Sequence, residues 1–215
     1  MSGADLSRIV AVVPVRSLSG SKSRLGEPLD AEERASLILG LLRRTVSATL
    51  GARRLSGVVV VSMDQELLDH AASMGAATLL QETDGLNEGL REAQAAAHAE
   101  ATAVLILPAD LPEVASSSID QLAEAADLTV AQDPDRPVVA LVPDRHGSGT
   151  NALLMSPPGV IDFSFGDGSR RAHEIAARRA GACYVELDGP LNFDLDTPED
   201  LLLADLRGLD HEAGR

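Results

Sequence analysis

The sequence contains no tryptophan, one cysteine and only 2% aromatic residues among its 215 positions. No tryptophan is therefore available to stack on a base, and the core must consist of leucine, valine, isoleucine and alanine. The lone Cys183 excludes an internal disulfide and a thiolate metal cluster. We interpret it as an inert, buried thiol, and redox chemistry at cysteine is not expected.

Long apolar runs are also missing. None approaches the roughly 18 residues that a membrane-spanning helix needs. The first eight residues lack the charged and then apolar order of a signal peptide. We therefore predict a cytoplasmic protein with no membrane partner.

Basic residues are few relative to acidic ones, and the formal net charge is −15. This charge argues against a nucleic-acid partner, because phosphate backbones are bound by clustered lysine and arginine. Its distribution is uneven: residues 1–60 contain 9 basic and 5 acidic side chains, and the remainder contains 9 basic and 28 acidic ones. Anion binding is thus predicted near the N-terminal loop and cation binding elsewhere.

What the sequence does contain is an alternation of apolar runs and helix-like segments. Strands are predicted at 9–15, 58–62, 77–80, 104–107, 129–131, 138–142 and 152–155. Helices are predicted from an acidic start at Asp30 and at 65–74, 86–100, 117–126, 169–180 and 198–207. The alternation indicates an α/β fold with a mostly parallel sheet and an antiparallel excursion around 130–155. We predict one domain over residues 1–215, with its core at about 8–207 and a frayed tail at 208–215.

A cationic loop follows the first predicted strand. In an open α/β sheet, ligands bind beyond the carboxyl ends of the strands, so residues just after a strand are candidates for function. Arg16, Lys22 and Arg24 lie in a loop rich in serine and glycine, which suits the diffuse charge of a triphosphate. The loop lacks the G-x-x-x-x-G-K-[ST] pattern, which excludes a P-loop kinase. Solvated surface cations are the alternative interpretation.

Three aspartates form a candidate cation site. Asp110 follows a strand within L-P-A-D-L-P, and Asp194 and Asp196 are two residues apart in N-F-D-L-D-T-P-E-D-L. Side chains at i and i+2 of an extended segment point the same way. Two or three carboxylates suffice for Mg²⁺, which keeps several waters and bridges substrate phosphates. The alternative is that Asp110 stabilises a turn or caps a helix and that Asp196 caps the last helix.

Two segments combine glycines with hydroxyl groups. H-G-S-G-T-N contains Thr150, and F-S-F-G-D-G-S contains Gly166 and Ser169 at the start of a predicted helix. Hydroxyls and amides at a helix N-terminus bind phosphate or carboxylate, so a small anionic substrate is predicted here. Ordinary glycine turns with a capping serine are the alternative.

The turn T-D-G-L-N opens a further predicted helix and contains Asp84, Gly85 and Asn87. Its exposed amides and the Asn87 side chain are candidates for reading a base edge by hydrogen bonds. A plain helix cap at Asp84 is the alternative.

The ordered set of V-P-V-R, S-K-S-R-L, D-G-L-N, L-P-A-D-L-P, G-T-N and F-D-L-D-T-P-E-D-L resembles a known family. These are the guanylyltransferases that make the phosphoenolpyruvyl or 2-phospho-L-lactyl guanosine diphosphate precursor of coenzyme F-420. The resemblance extends from about residue 9 to residue 207. It implies the nucleotide-diphospho-sugar transferase fold, a GT-A/Rossmann-like three-layer sandwich. It also favours phosphoenolpyruvate as the acid, because the similarity is to bacterial members.

The resemblance implies a role for each candidate residue. The Mg²⁺ ligands would be Asp110, Asp194 and Asp196. The phosphorylated three-carbon acid would be bound by Thr150, Gly166 and Ser169. GTP would be bound by Arg16, Lys22, Arg24, Asp84, Gly85 and Asn87. Lys22 and Arg24 would also take up charge on the departing pyrophosphate, and the labile product would pass to a downstream transferase.

Two other functions fit the same residues. A D-x-D glycosyltransferase of related fold would use Asp194 and Asp196 to hold the metal of a nucleotide-sugar. A non-catalytic nucleotide-binding domain would keep the fold without the chemistry.

Overall fold

The computed structural model describes residues 3–16, 29–97 and 101–206. Lys22, Arg24 and the predicted tail at 208–215 lie outside these residues. The strands are β1 (Ile9–Pro14), β2 (Leu55–Ser62), β3 (Ala77–Leu80), β4 (Ala103–Ile106), β5 (Val138–Pro143), β6 (Thr150–Ser156) and β7 (Cys183–Glu186). The helices are α1 (Ala31–Gly51), α2 (Gln65–Ser73), α3 (Leu86–Ala97), α4 (Ser116–Gln132), α5 (Ser169–Arg179) and α6 (Pro198–Leu206), with a 3-10 turn at Pro190–Asn192.

The described strands form one sheet in the order β3-β2-β1-β4-β6-β5-β7. Of these strands, β6 alone is antiparallel to its neighbours, β4 and β5, and the other pairings are parallel. The predicted α/β class and the antiparallel excursion are therefore confirmed. Because β6 is reversed, its first residues lie at the same edge of the sheet as the carboxyl ends of the other strands.

Helices cover both faces of the sheet. Buried residues of α1, α2 and α4 pack on one face, and those of α3 and α5 pack on the other. Strands covered on both sides read as continuous apolar runs, and every residue of β4 is buried. None of the described helices combines the length and the apolar character needed to cross a bilayer.

Helix α1 begins with reciprocal hydrogen bonds between Asp30 and Glu33. The Asp30 carboxylate accepts from the Glu33 amide at 2.9 Å, and the Glu33 carboxylate accepts from the Asp30 amide at 2.8 Å. This capping box satisfies two amides that the first helical turn leaves unpaired. The predicted acidic start is thus confirmed. The inward-facing Ile38 and Leu42 are buried, as the sequence predicts.

The strand predicted at 129–131 is wrong, because these residues form the last turns of α4. Thr129 and Val130 are β-branched, which favours a strand locally. In the helix, the Thr129 hydroxyl donates to the Ala125 carbonyl at 2.8 Å, and Val130 packs against the core. The short edge strand β7 was not predicted; each of its four residues is only partly buried, so its apolar signal is weak.

A β-bulge interrupts the β5–β6 hairpin close to its turn. Val142 pairs with Ala152, and the next residue, Pro143, pairs with Thr150. Asn151 is therefore an extra residue on β6. Val142 and Ala152 contribute to the core beneath α1 and α4, so the pair that follows them faces the opposite side of the sheet, where α5 lies.

Candidate active site

A cleft of about 740 Å³ opens at the edge of the sheet where the parallel strands end. Of the predicted site residues that the structure describes, eight line this cleft: Arg16, Gly85, Asp110, Thr150, Gly166, Ser169, Asp194 and Asp196. Asp84 and Asn87 are not among the lining residues. The structure thus brings together segments that are far apart in the sequence.

One wall of the cleft, called here the aspartate side, consists of Asp110, Asp194 and Asp196. The Leu195 amide donates to the Asp110 carbonyl at 3.0 Å, which ties the two segments together. Burial and the nearby charges of Asp110 and Asp196 raise the pKa of Asp194 to about 6. Asp110 and Asp196 therefore lie close enough to Asp194 to disfavour its ionisation.

The alternative capping roles do not apply to these aspartates. The N-cap of α4 is Ala115, so Asp110 does not cap that helix. At α6, the Asp200 carboxylate accepts from the Thr197 amide at 2.7 Å, and the Thr197 hydroxyl accepts from the Asp200 amide at 3.3 Å. Thr197 and Asp200 thus form the cap, and the side chain of Asp196 is exposed at the cleft.

The aspartate side has the chemistry of a magnesium site. Within residues 3–16, 29–97 and 101–206, no three histidine, cysteine or acidic side chains form a ready-made metal cage. Mg²⁺ does not need such a cage, because it retains waters and takes further oxygens from substrate phosphates. A divalent cation would also offset the burial and the like charges that raise the pKa of Asp194. The residues present therefore fit the ion.

A second wall of the cleft, called here the hydroxyl side, consists of Thr150, Gly166 and Ser169. Gly166 has a φ of 124°, which favours glycine, and its carbonyl accepts from the Ser169 amide at 3.1 Å. Ser169 is the first residue of α5, so its hydroxyl lies beside the amides of a helix N-terminus. No group in the described part of the chain makes a hydrogen bond to this hydroxyl. The hydroxyl side can therefore donate to a small anion.

Asn87 contacts the backbone of this wall. Its side-chain oxygen accepts from the Phe165 amide at 2.9 Å, and its side-chain nitrogen donates to the Phe165 carbonyl at 3.1 Å. The amide thus fixes the segment that precedes Gly166. The predicted contact of Asn87 with a base uses the same side chain and stays a prediction, as does the role of Asp84.

Sequence reasoning missed the buried His173. Its ring bonds to the Thr150 hydroxyl through Nδ1 at 3.1 Å and to the Ser164 amide through Nε2 at 3.0 Å. Burial lowers the pKa of His173 to about 4, so the ring is neutral at physiological pH. A signal was available, because Ser169, His173 and Ala177 are spaced by four residues and form the buried stripe of α5.

Arg170 was also missed, and it attaches the hairpin between β5 and β6 to the rest of the wall. Its guanidinium donates two hydrogen bonds to the Glu186 carboxylate, at 3.0 and 2.7 Å, and a third to the Gly147 carbonyl at 3.0 Å. The Arg170 amide donates to the Ser148 carbonyl at 3.2 Å. The two bonds to Glu186 lower the pKa of its carboxyl group. The bonds to Gly147 and Ser148 hold the turn that leads into Thr150.

Comparison with known families shows which proteins this chain is similar to. The family model described as "Guanylyl transferase CofC like" matches residues 9–214. The chain belongs to the CofC-like guanylyl transferases. The family model thus spans both walls of the cleft and the cationic loop after β1.

Two relatives of this CofC-like chain carry the same name. It is 46% identical to the phosphoenolpyruvate guanylyltransferase of Rubrobacter xylanophilus, over 93% of this chain and 95% of the relative. It is 45% identical to the protein of that name from Sphaerobacter thermophilus, over 89% of this chain and 90% of the relative. A candidate nucleotide-diphospho-sugar transferase from Desulfovibrio desulfuricans shares its fold, with a TM-score of 0.68 at 16% identity over 96% and 98% of the two chains. The predicted fold family is thereby confirmed.

Proposed function

We propose that this protein transfers the guanylyl group of GTP to phosphoenolpyruvate, giving enolpyruvoyl-2-diphospho-5'-guanosine and pyrophosphate for coenzyme F-420 biosynthesis. The observation that carries the proposal is one cleft lined both by carboxylates suited to a divalent cation and by hydroxyls suited to a small anion. Relatives at 45% and 46% identity named for this reaction support the choice of substrates.

The reaction needs no general base. A phosphate oxygen of phosphoenolpyruvate, already ionised at neutral pH, attacks the α-phosphorus of GTP. The bond from that phosphorus to the oxygen bridging to the β-phosphate breaks, and pyrophosphate leaves with the electron pair. The chain's contribution is then positioning and charge stabilisation. A serine–histidine–aspartate or cysteine–histidine set is accordingly not required.

The two walls divide this work. The Thr150 and Ser169 hydroxyls would donate to the acid, with the α5 N-terminus adding its amides. On the aspartate side, Asp110, Asp194 and Asp196 would hold Mg²⁺, which when bound supplies positive charge between the two negatively charged substrates.

The triphosphate would contact the segment that follows β1. Arg16 lines the cleft there and would contact the phosphates. Lys22 and Arg24, which lie outside the described residues, keep the triphosphate and pyrophosphate roles that the family resemblance implies. Guanine selection by the turn at 84–87 is part of the same proposal.

Pyrophosphate release tests the proposal directly. Purified protein with Mg²⁺, GTP and phosphoenolpyruvate is expected to release pyrophosphate in proportion to the acid consumed. ATP, CTP and UTP serve as controls for base preference, and 2-phospho-L-lactate as the control for the acid. Absence of release with every nucleotide and both acids would contradict nucleotidyl transfer. Faster turnover with 2-phospho-L-lactate would keep the reaction and change its substrate.

Two broader statements belong to the proposal. The product is a labile mixed diphosphate, so we expect a downstream transferase to accept it directly. We also expect both steps to occur in the cytoplasm. Pull-down of the partner transferase with product-loaded protein, compared with protein loaded with GTP alone, would test the transfer between them.

A further inference from the structure

His173 is fully buried directly behind the hydroxyl side. It lies one helical turn after Ser169 on α5, and its ring packs edge-on against Phe165 with 5.0 Å between ring centroids. The side chain does not line the cleft, so it cannot touch a substrate there. Any effect on the reaction must pass through the residues that it contacts.

The hydrogen bonds of the ring determine which nitrogen carries the proton. The Ser164 amide can only donate, and it points at Nε2 with a separation of 3.0 Å. Nε2 must therefore be the unprotonated acceptor. A neutral imidazole carries its single proton on the other nitrogen, so Nδ1–H donates to the Thr150 hydroxyl oxygen at 3.1 Å.

This bond has a consequence for Thr150. Its oxygen accepts from Nδ1–H, so its own hydrogen must be donated elsewhere. Within the described part of the chain, Thr150 makes no side-chain hydrogen bond other than the one to His173. Thr150 lines the cleft. The remaining hydrogen is therefore available to a ligand in the cleft.

The segment that orients His173 is itself held at two points by α3. Asn87 bonds to both backbone groups of Phe165, and the Arg91 guanidinium donates two hydrogen bonds to Asp162, each at 2.9 Å. The Ser164 amide therefore points in a set direction before any ligand arrives. Helix α3 thus fixes this segment, the segment fixes the His173 ring, and the ring fixes the Thr150 hydroxyl.

We propose that His173 is a positioning residue that makes the Thr150 hydroxyl an obligate hydrogen-bond donor to an anionic oxygen of the three-carbon acid. The inference rests on the proposed function for the identity of that acid. It assigns the specificity of this subsite to a proton held on the Nδ1 atom of a residue that the substrate never touches.

The tautomer can be measured without substrate. Nitrogen-15 spectra of the histidine rings, with His173 assigned by comparison with His173→Gln, are expected to show a protonated Nδ1 and a bare Nε2. The pattern should not change between pH 5.5 and 8, since the ring stays neutral. An Nε2–H tautomer, or a His173 ring that titrates in this range, would overturn the inference.

Two substitutions separate the two bonds of the ring. His173→Asn can place an amide N–H near the position of Nδ1 and keep the donor to Thr150. His173→Gln can place an oxygen near Nε2, which keeps the acceptor for Ser164 and loses that donor. We expect His173→Gln to raise the KM for the acid about three- to tenfold, because the hydroxyl regains its other staggered positions. His173→Asn should stay within about twofold of the wild type, and the KM for GTP should change in neither variant.

A double-mutant cycle with Thr150→Val tests whether His173 acts through the hydroxyl. His173→Gln should raise the KM for the acid in the wild-type background and leave it unchanged in Thr150→Val. Equal increases in both backgrounds would indicate a merely structural role and overturn the inference. Failure of the proposed function is a separate outcome: the wild-type protein would release no pyrophosphate, while the ring spectra would still decide the tautomer.

Discussion

The two walls of the cleft are prepared for their ligands in opposite ways. On the hydroxyl side, a neutral histidine and a backbone segment tied to α3 fix the direction of the Thr150 hydroxyl in advance. On the aspartate side, carboxylates face one another, and burial together with the charge of Asp110 raises the pKa of Asp194. The hydrogen bonds of one wall are complete without a ligand, whereas the other wall contains a carboxylate whose ionisation is unfavourable.

The two walls should therefore respond differently to pH and to metal ions. A network of neutral groups keeps its hydrogen bonds over a wide pH range. A group of like charges changes with both proton and cation concentration. Variants on the two walls should therefore fail in different ways.

Loss of a carboxylate on the aspartate side should affect catalysis most. We expect Asp196→Ala to lower kcat/KM by about 10²- to 10³-fold, as removal of one group that stabilises transition-state charge commonly does. Circular dichroism and the melting temperature should stay near wild type, because Asp196 is exposed. Glu199→Ala, an exposed acid in the first turn of α6, is the matched control. Near-normal turnover in Asp196→Ala would remove this residue from the cation site.

On the hydroxyl side, the effect should be on substrate binding. We expect Thr150→Ala to raise the KM for the acid about 10- to 100-fold, the usual cost of one hydrogen bond to a charged group. The KM for GTP should change less than about threefold. Initial rates with each substrate varied in turn would measure both constants. An unchanged KM for the acid would place the acid elsewhere in the cleft.

The walls should also differ in the pH dependence of stability without metal. Asp194 has a folded pKa of about 6, above the roughly 3.9 of an unfolded aspartate. Its contribution is therefore fully present below about pH 4 and is lost as the pH rises through 6. We expect ionisation of this half-buried group to cost about 1–2 kcal/mol between pH 5 and 7.5.

Urea unfolding of the wild type and Asp194→Asn at both pH values measures this cost. The difference between the two proteins isolates Asp194 from His173, whose lowered pKa acts in the opposite direction. Saturating Mg²⁺ should abolish the part of the wild type's pH dependence that Asp194→Asn removes. An identical pH dependence of stability in the two proteins would show that the pKa of Asp194 is not raised in the folded state.

The smallest effect is expected at Arg170, which supports the hydroxyl side from outside the cleft. Arg170→Lys loses the two-pronged contact with Glu186 and the bond to the Gly147 carbonyl. Because the pair is partly exposed, we expect only about a two- to fivefold rise in the KM for the acid. Glu186→Gln should behave in the same way. A larger loss in either variant, or an effect on the KM for GTP, would assign these residues a more direct role.

The framework of the fold could be predicted because its signals are local. The runs that form β1 and β4 are buried on both faces and therefore apolar throughout. Asp110 was singled out by the rule that ligands bind where parallel strands end, and Asp194 and Asp196 by their spacing of two in an extended segment. The strand predicted at 129–131 failed because two β-branched residues were absorbed by α4, whose burial against the sheet outweighs local preference.

The hydrogen bonds that orient the site residues could not be predicted, because the two partners of each bond are distant in sequence. Thr150 and His173 are 23 residues apart, and Asn87 and Phe165 are 78 apart. Nothing local to Asn87 distinguishes a residue that reads a base from one that fixes a loop. Nothing local to His173 reveals which nitrogen is protonated, since the Ser164 amide decides it.

The bulge at Asn151 affects both walls of the cleft, because it adds one residue to β6 next to Thr150 and Asn151 itself contacts Asp194. In a regular strand Asn151 would pair with Pro143, and Thr150 would lie on the same face as Ala152, toward α1 and α4 and away from His173. Deleting Asn151 would leave Thr150 next to Ala152 and therefore on its present face, but it would remove the side-chain amide that donates to Asp194 at 3.3 Å. The pairing of the hairpin, as much as the identity of its residues, therefore determines which face of the sheet Thr150 occupies.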